Sequence, residues 1–372
     1  MRKTLKIISY VLSVLVLCTL GFVGIRYFDE IRTLTSLKLV EGTNLYTMEF
    51  FSNYRFDEFL ETGASNNNEY YEFVNKIVDS SVNINVNTSN VKDACSAFTF
   101  RDKDGKRYLG RNYDYVANPV MLIVTSPDDA YKSISTVNMN TLGFNAEKAP
   151  KSLDLKLFAA PYFPTDGVNE KGISVSVLQV NFSRKQKEEG KTTIGVYAVN
   201  RLVLDYADSI DKAVELIDQY NLYFDSSLQA HFFIADSKGD SALIEFVDGK
   251  THVIKNDKKY QIASNFNNTE EEFDSEGYVY YEQYREWLTN SSTSAYDSEY
   301  SGYVRYDFML DSLYNSSGIM SVDDAFDLLE NVASPTKLQY SVVYCMSDLQ
   351  AAIITDNEWD NRTTAGLVKN RE

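Results

Sequence analysis

Cys95 is followed sixteen residues later by Arg111 and nineteen residues later by Asp114, in the stretch ACSAFTFRDKDGKRYLGRNYDY. A thiol attacks as its thiolate, a nearby guanidinium favours that form, and a carboxylate can hold an amine or orient a donor. These three side chains make a candidate nucleophilic site. The chain has only two histidines, His231 and His252, and neither lies near a Cys or Asp/Glu cluster with metal-ligand spacing. That argues against a zinc hydrolase. A Cys-His or Ser-His triad would need one of the two as its base, and a histidine inside a strand is more often a packing residue. One mechanism needs no histidine. If the bond between Ala94 and Cys95 is cut, the new α-amino group titrates near ~7.7–8.0 and can take the thiol's proton directly or through water. One residue then supplies both nucleophile and base.

The element that must bring these groups together is a hairpin. Ala97 to Phe100 is rich in aromatic and β-branched residues, Asp102-Lys103-Asp104-Gly105 supplies turn chemistry, and Arg107 to Tyr115 reads as the return strand. Folding it back lays Cys95 beside the segment carrying Arg111 and Asp114. Residues three apart point to opposite faces of a regular strand, so both reach the thiol only if the strand bends or bulges between them. An irregularity near Asn112-Tyr113 is therefore expected.

CSAFTFRDKDGKRYLGRNYDY resembles the opening of the choloylglycine hydrolase and penicillin V acylase family, cysteine N-terminal-nucleophile (Ntn) hydrolases of linear amides, and is similar to the related isopenicillin N acyltransferases. Further matches follow in the family's order: DGVNEKGISVSVL from Asp166 to Leu178, HFFIADSKGDSALIEF from His231 to Phe246, ASN at Ala263 to Asn265, and YVRYDFML from Tyr303 to Leu310. Each string is short, and it is their order behind the right nucleophile that makes them specific. The resemblance implies an α+β fold, a four-layer αββα sandwich, with no cofactor and no metal. It also implies roles. Cys95 would be the nucleophile, Asp114 would hold its amine or thiol, and Arg111 would lower the thiol pKa and organise the pocket. Asn265 would help form the oxyanion hole, and Arg305 would support the tetrahedral intermediate or the hydrogen-bond network. Gln179 stands where the bile-salt type has asparagine, and its amide can donate a second oxyanion contact from a longer side chain.

Composition agrees with an enzyme of this kind. The 372 residues are 44% hydrophobic and 13% aromatic, enough for a large core and for an apolar acyl pocket. A formal net charge of -17 without a basic cluster argues against nucleic acid. The acidic excess at Glu270 to Glu282 and Asp297 to Glu299 reads as a solvated loop. Cys345 reads as a buried strand cysteine, and a disulfide to Cys95 would consume the nucleophile.

At the amino end MRKTLK is followed by nineteen uncharged residues, Ile7 to Ile25, enough to enter a membrane. Arg2, Lys3 and Lys6 before it orient the rest of the chain outside. Residues 1–26 are thus expected to be a transmembrane anchor or signal segment, residues 27–94 a pro-region or linker, and residues 95–372 the catalytic domain. In residues 45–63 strand-like and helix-like periodicity mix, a helix is expected over Asn68 to Ser80, and SSVNINVNTSNVKD reads by itself as an interdomain linker and, given the resemblance, as an exposed, scissile connection. After the first strands, helices are expected over Thr193 to Tyr206 and Ser209 to Tyr220, and again over Tyr303 to Tyr314 and Ser321 to Val332, before final strands Gln339 to Tyr344 and Gln350 to Thr355. Strands in blocks separated by paired helices are α+β by class.

The sequence therefore reads as a membrane-anchored or secreted cysteine Ntn hydrolase of a small-molecule, non-peptide linear amide with an apolar acyl group. Two alternatives stay open: an acyltransferase passing the acyl group to an amine, and a non-catalytic cell-surface binding protein on the same scaffold. A homo-oligomer also stays open.

Overall fold

The computed structural model describes residue 10 and residues 26–78, 94–115, 118–225, 228–256, 259–269, 301–334 and 338–367. Helix α1 (Phe28–Thr35) leads to strands β1 (Lys38–Leu39) and β2 (Leu45–Phe50), then to helices α2 (Phe56–Thr62) and α3 (Asn67–Val78). The hairpin follows as β3 (Ala94–Arg101) and β4 (Arg107–Asp114), and after it come β5 (Val120–Thr125), β6 (Ser133–Asn138), β7 (Pro164–Asn169) and β8 (Ile173–Gln179). Next are β9 (Thr193–Gly195), α4 (Val196–Tyr206), α5 (Ile210–Asp218), β10 (Asn221–Tyr223), β11 (Ala230–Asp236), β12 (Ser241–Val247), β13 (Lys250–Lys255) and β14 (Ile262–Ala263). The chain closes with α6 (Ser301–Ser316), α7 (Val322–Asn331), β15 (Leu338–Cys345), β16 (Gln350–Thr355) and β17 (Thr363–Gly366).

Two sheets stack face to face. The larger has the order β1-β2-β5-β6-β7-β8-β11-β12-β13, and the smaller β14-β3-β4-β15-β16-β17. Between them lie Cys95, Ala97, Leu109 and Val342 of one sheet against Leu122, Ile134, Leu178 and Phe233 of the other. The outer face of the larger sheet packs under α3, α4 and α5 through residues such as Val74, Leu202, Ile217 and Phe232. The outer face of the smaller sheet packs under α6 and α7 through Phe98, Phe100, Met309, Leu329 and Val343. The layers are helix, sheet, sheet, helix. Strands covered on both sides need no polar face, which is why β12, Ser-Ala-Leu-Ile-Glu-Phe-Val, is buried at every position.

Local chemistry sets the ends of several elements. Ser209 caps α5 by accepting from Lys212 N, and Ser321 with Asp324 closes a capping box on α7. The expected helix over Thr193 to Tyr206 begins only at Val196. Thr193 to Gly195 is a short strand paired with β10, because β-branched Thr193 and Ile194 favour extended backbone and Gly195 serves as the N-cap. In the Asn-Glu-Lys-Gly hairpin, Asn169 Oδ1 accepts from Lys171 N and Ile173 N while its Nδ2 donates to Leu204 O and Ala207 O. That asparagine ties the turn to α4. Gly172 adopts φ +77°, and a Cβ there would meet Met346 O at 2.9 Å, so the turn requires glycine.

Residues 28–78 belong to the same packing units as the residues after Cys95. β2 pairs in parallel with β5, and Tyr54, Phe56, Phe59, Tyr70 and Val74 enter the core beneath the larger sheet. Tyr54 Oη donates to Asp205 Oδ1 at 2.7 Å, and Tyr70 Oη donates to Tyr162 O at 2.7 Å. The mixed periodicity of residues 45–63 resolves into a strand followed by a helix. A division at residue 94 thus does not separate two cores, since β2, α2 and α3 share one packed cluster with β5, α4 and α5 of the later chain. Among the described residues no helix is long and apolar enough to cross a membrane. The apolar segment Ile7 to Ile25, apart from Tyr10, the connection over residues 80–93 and the acidic stretch from Glu270 to Glu299 lie outside the described residues.

Candidate active site

β3 and β4 pair without interruption from Ala94 opposite Asp114 to Arg101 opposite Arg107. The turn that closes them is held by Asp102, whose Oδ1 accepts from Asp104 N and Lys106 N, with Gly105 at φ +85°. The expected irregularity near Asn112-Tyr113 is absent from this ladder. It lies instead on the other edge of β4, where the register with β15 shifts between Leu338, opposite Asp114, and Tyr340, opposite Tyr113. The regular pairing sets the faces of the two charged groups. Cys95 and Arg111 share the face between the sheets; Asp114 lies on the opposite face, toward the helices.

Arg111 is fully buried, and its Nη2 lies 3.7 Å from Cys95 Sγ. The same nitrogen donates to Val177 O at 2.5 Å, and Nη1 donates to Thr165 O at 2.6 Å and to Asp166 Oδ2 at 2.8 Å. Burial alone would pull this guanidinium down, but Tyr340, Asp166 and Cys95 together raise it above its ordinary value. It is a fixed cation. Asp166 is also fully buried, and takes Tyr340 Oη on Oδ2 at 2.5 Å, Tyr344 Oη on Oδ1 at 2.5 Å, and the Thr136 hydroxyl. Burial, then Asp166, pushes both phenols well above the usual tyrosine range, so they stay protonated and donate. Tyr113, the cross-strand partner of Cys95, stacks on Tyr340 with centroids 5.2 Å apart and carries Arg111 Cζ 5.1 Å from its ring centroid.

The main chain of Cys95 is gripped from the other side. Cys95 N donates to Asn265 Oδ1 at 2.6 Å. Arg305, on α6, donates through Nη1 to Cys95 O at 2.6 Å and to Ser96 Oγ at 2.7 Å, and through Nη2 to Asn265 Oδ1 at 2.7 Å. Ser264 Oγ adds a contact to Cys95 O at 3.3 Å. Two donors on the same atom of Asn265 fix which end of its amide is oxygen, leaving Nδ2 to donate to Gln179 O at 2.7 Å. Asp114 Oδ1 accepts from Ser334 N at 3.0 Å, and Asp114 Oδ2 lies 4.0 Å from Arg305 Nη1.

Cys95, Arg111, Asn265 and Arg305 thus converge, Asp114 stands on the helix side of the same strand pair, and Gln179 meets the site through its main-chain carbonyl. Asp166, Tyr340, Tyr344, Ser96 and Ser264 were not among the residues the sequence singled out. No local signal marked Asp166: its strand, Pro-Thr-Asp-Gly-Val-Asn, is polar at several positions, and its partners Arg111, Tyr340 and Tyr344 come from other strands. His231 Nδ1 lies 3.2 Å from Glu245 Oε1, and His252 Nε2 lies 3.3 Å from Val247 O. Among the described residues Cys95 and Cys345 form no disulfide; both are buried, Cys345 in the core beside α6 and α7. Among the described residues no group of three or more His, Cys, Asp or Glu is arranged to hold a metal ion.

Residues 95–299, more than half of the chain and starting at Cys95 itself, match the family of linear amide C-N hydrolases, choloylglycine hydrolase family. The chain belongs to the choloylglycine hydrolase family. It is 34% identical over 112 residues to penicillin V acylase from Pectobacterium atrosepticum, a match spanning 27% of this chain and only 30% of that relative. The crystal structure of a mutant conjugated bile acid hydrolase from Clostridium perfringens superimposes with a TM-score of 0.50 at 18% identity, covering 73% of this chain and 92% of that one. That likeness concerns the fold, and it accords with the four layers and with the family's αββα architecture. In this choloylglycine hydrolase family member, β3 opens on the nucleophile position and β4 supplies the cation beside it.

Proposed function

We propose that this chain hydrolyses a non-peptide linear amide through an acyl-thioester on Cys95, which becomes the amino-terminal residue when the Ala94–Cys95 bond is cut. The observation that carries this reading is the two-sided hold on Cys95: its sulfur beside buried Arg111, its main chain held by Asn265 and Arg305. Negative charge developing on sulfur is stabilised by a cation that cannot move away. The freed amine takes the thiol proton, and sulfur bonds to the substrate carbonyl carbon. The C–N bond then breaks as the leaving amine takes that proton, and water cleaves the thioester to release the acid and restore the thiol. One N–H of Asn265 Nδ2 is committed to Gln179 O, leaving the other to meet the oxyanion, a contact typically worth ~2.7–4 kcal/mol. Asp114, opposite Ala94 in the strand pair, would position the amine. The half-buried ring of Tyr113 beside the thiol suits an apolar acyl group.

We further propose that Ile7 to Ile25 anchors or exports the chain, with the catalytic region outside the cytoplasm; membrane fractionation with and without that segment checks this. Penicillin V and conjugated bile acids, taken from the names of the two relatives, are the first amides to assay. Rapid quenching followed by mass analysis should show an acyl adduct on Cys95, absent in Cys95→Ser. Turnover that persists after a thiol reagent has blocked Cys95 stoichiometrically would refute the reading. Added amine that diverts the adduct to a new amide would make the chain an acyltransferase.

A further inference from the structure

Asn265 sits in Ser264–Thr269, a segment with no helix or strand that leaves β14 at the edge of the smaller sheet and crosses to the larger one. An asparagine on irregular backbone can be aimed only if something fixes that backbone. Glu245, on β12, does this. It is fully buried, and its Oε1 accepts from Asn268 N at 2.6 Å while its Oε2 accepts from Thr269 N at 2.8 Å and from Thr269 Oγ1 at 2.5 Å. Three loop donors thus end on one carboxylate that belongs to the rigid sheet. His231, fully buried on neighbouring β11, places Nδ1 3.2 Å from Oε1 and so limits the swing of the carboxylate. On its other side the loop is braced by Phe266, which stacks on Tyr303 of α6 with centroids 4.2 Å apart, two residues before Arg305.

We infer that Glu245, held by His231, is a positioning residue for Asn265: it fixes the loop so that the asparagine meets both the Cys95 nitrogen and the oxyanion. The inference rests on the role proposed above for Asn265. A buried carboxylate is costly without donors, and those of this one come from the loop and from His231. Removing its charge therefore loosens the loop, whereas the Arg111–Cys95 contact, built from β3 and β4, is left alone.

The test is a double-mutant cycle in the full chain between Glu245→Gln and Asn265→Ala, read as kcat and KM for the amide and as the rate of Cys95 alkylation. The carboxamide keeps the size but turns one acceptor into a donor facing backbone N–H groups. Glu245→Gln should lower kcat about tenfold to a hundredfold, as expected for a donor displaced by a fraction of an ångström, with KM and alkylation rate nearly unchanged. In the Asn265→Ala background it should cost no more than about threefold further, because residues acting as one unit are not additive. Additive losses, or wild-type kcat in Glu245→Gln with a crippled Asn265→Ala, would overturn the positioning role alone. Wild-type turnover in Asn265→Ala would overturn the assignment of Asn265, and this inference with it. If Glu245→Gln does not fold, Thr269→Val, which removes one donor and keeps the main chain, should show the same non-additivity on a smaller scale; an additive or absent effect there would be equally contrary.

Discussion

Arg111 and Asp114 lie on opposite faces of one strand, Arg111 with its Nη2 3.7 Å from the Cys95 sulfur and Asp114 toward the helices with its Oδ1 on Ser334 N. Two charged side chains only three positions apart therefore lie on opposite faces of the strand pair that carries Cys95. Substitutions on the two faces should fail in different ways.

On the inner face, Asp166→Asn should remove the charge that holds Arg111. It turns an acceptor for Arg111, Tyr340, Tyr344 and Thr136 into a group with its own N–H bonds, and breaking a buried ion pair from one side costs about 3–5 kcal/mol. A lowered Tm together with slower alkylation of Cys95 is expected. Arg111→Lys should also be damaging, since a point charge cannot serve Thr165 O, Val177 O, Asp166 and the sulfur together. Unchanged alkylation rates in both variants would remove Arg111 from thiol activation.

On the helix face, Asp114→Asn keeps size and drops charge. If Asp114 positions the Cys95 amine, turnover should fall by about a hundredfold, the scale of losing one general-base contribution, while Cys95 alkylation continues. Wild-type turnover at saturating substrate would reduce Asp114 to a partner of Ser334 and Arg305.

Cutting at Ala94–Cys95 should not release the amino-terminal segment. Tyr54, Phe56, Phe59, Tyr70 and Val74 are buried beneath the larger sheet, and each such side chain contributes roughly 1.5–3 kcal/mol on burial. Size-exclusion chromatography of the cut protein should therefore show both pieces in one peak, separating only in denaturant. Elution of an active fragment beginning at Cys95 without its partner piece would contradict the packing described.

How much of this was legible in the sequence depended on whether a signal was local. The hairpin, the cap at Ser209 and the strands β15 and β16 follow from turn and periodicity chemistry within a few residues. The convergence of Cys95, Arg111, Asn265 and Arg305 was anticipated through motif order, not through any local rule. The face of Asp114 was not legible, because it depends on where the bulge falls, and that is decided by β15, more than two hundred residues later. The same limit hid Asp166 and Glu245, whose partners come from other strands and loops. Residues 28–78 looked separable because their apolar faces carry no mark of what covers them.

A buried network outside the site predicts a pH effect on stability. Burial pushes the Asp205 carboxyl up to about 6, against the pull of Arg201 and Tyr54. A folded-state pKa above the unfolded value of about 3.9 means that the contribution is present below that value and is lost as pH rises through about 6. The difference in Tm between wild type and Asp205→Asn should therefore shift between pH 4 and pH 7, with wild type relatively more stable at the acid end. A difference constant across that range would show that the carboxyl does not titrate there.

Whether Cys95 works as an amino-terminal nucleophile is decided by intact mass and amino-terminal sequencing of the active protein. Every catalytically competent molecule should contain a chain that begins at Cys95, with Cys95→Ser accumulating uncut or cut and nearly inactive. Full activity from molecules in which residues 26–94 remain covalently joined to Cys95 would contradict it.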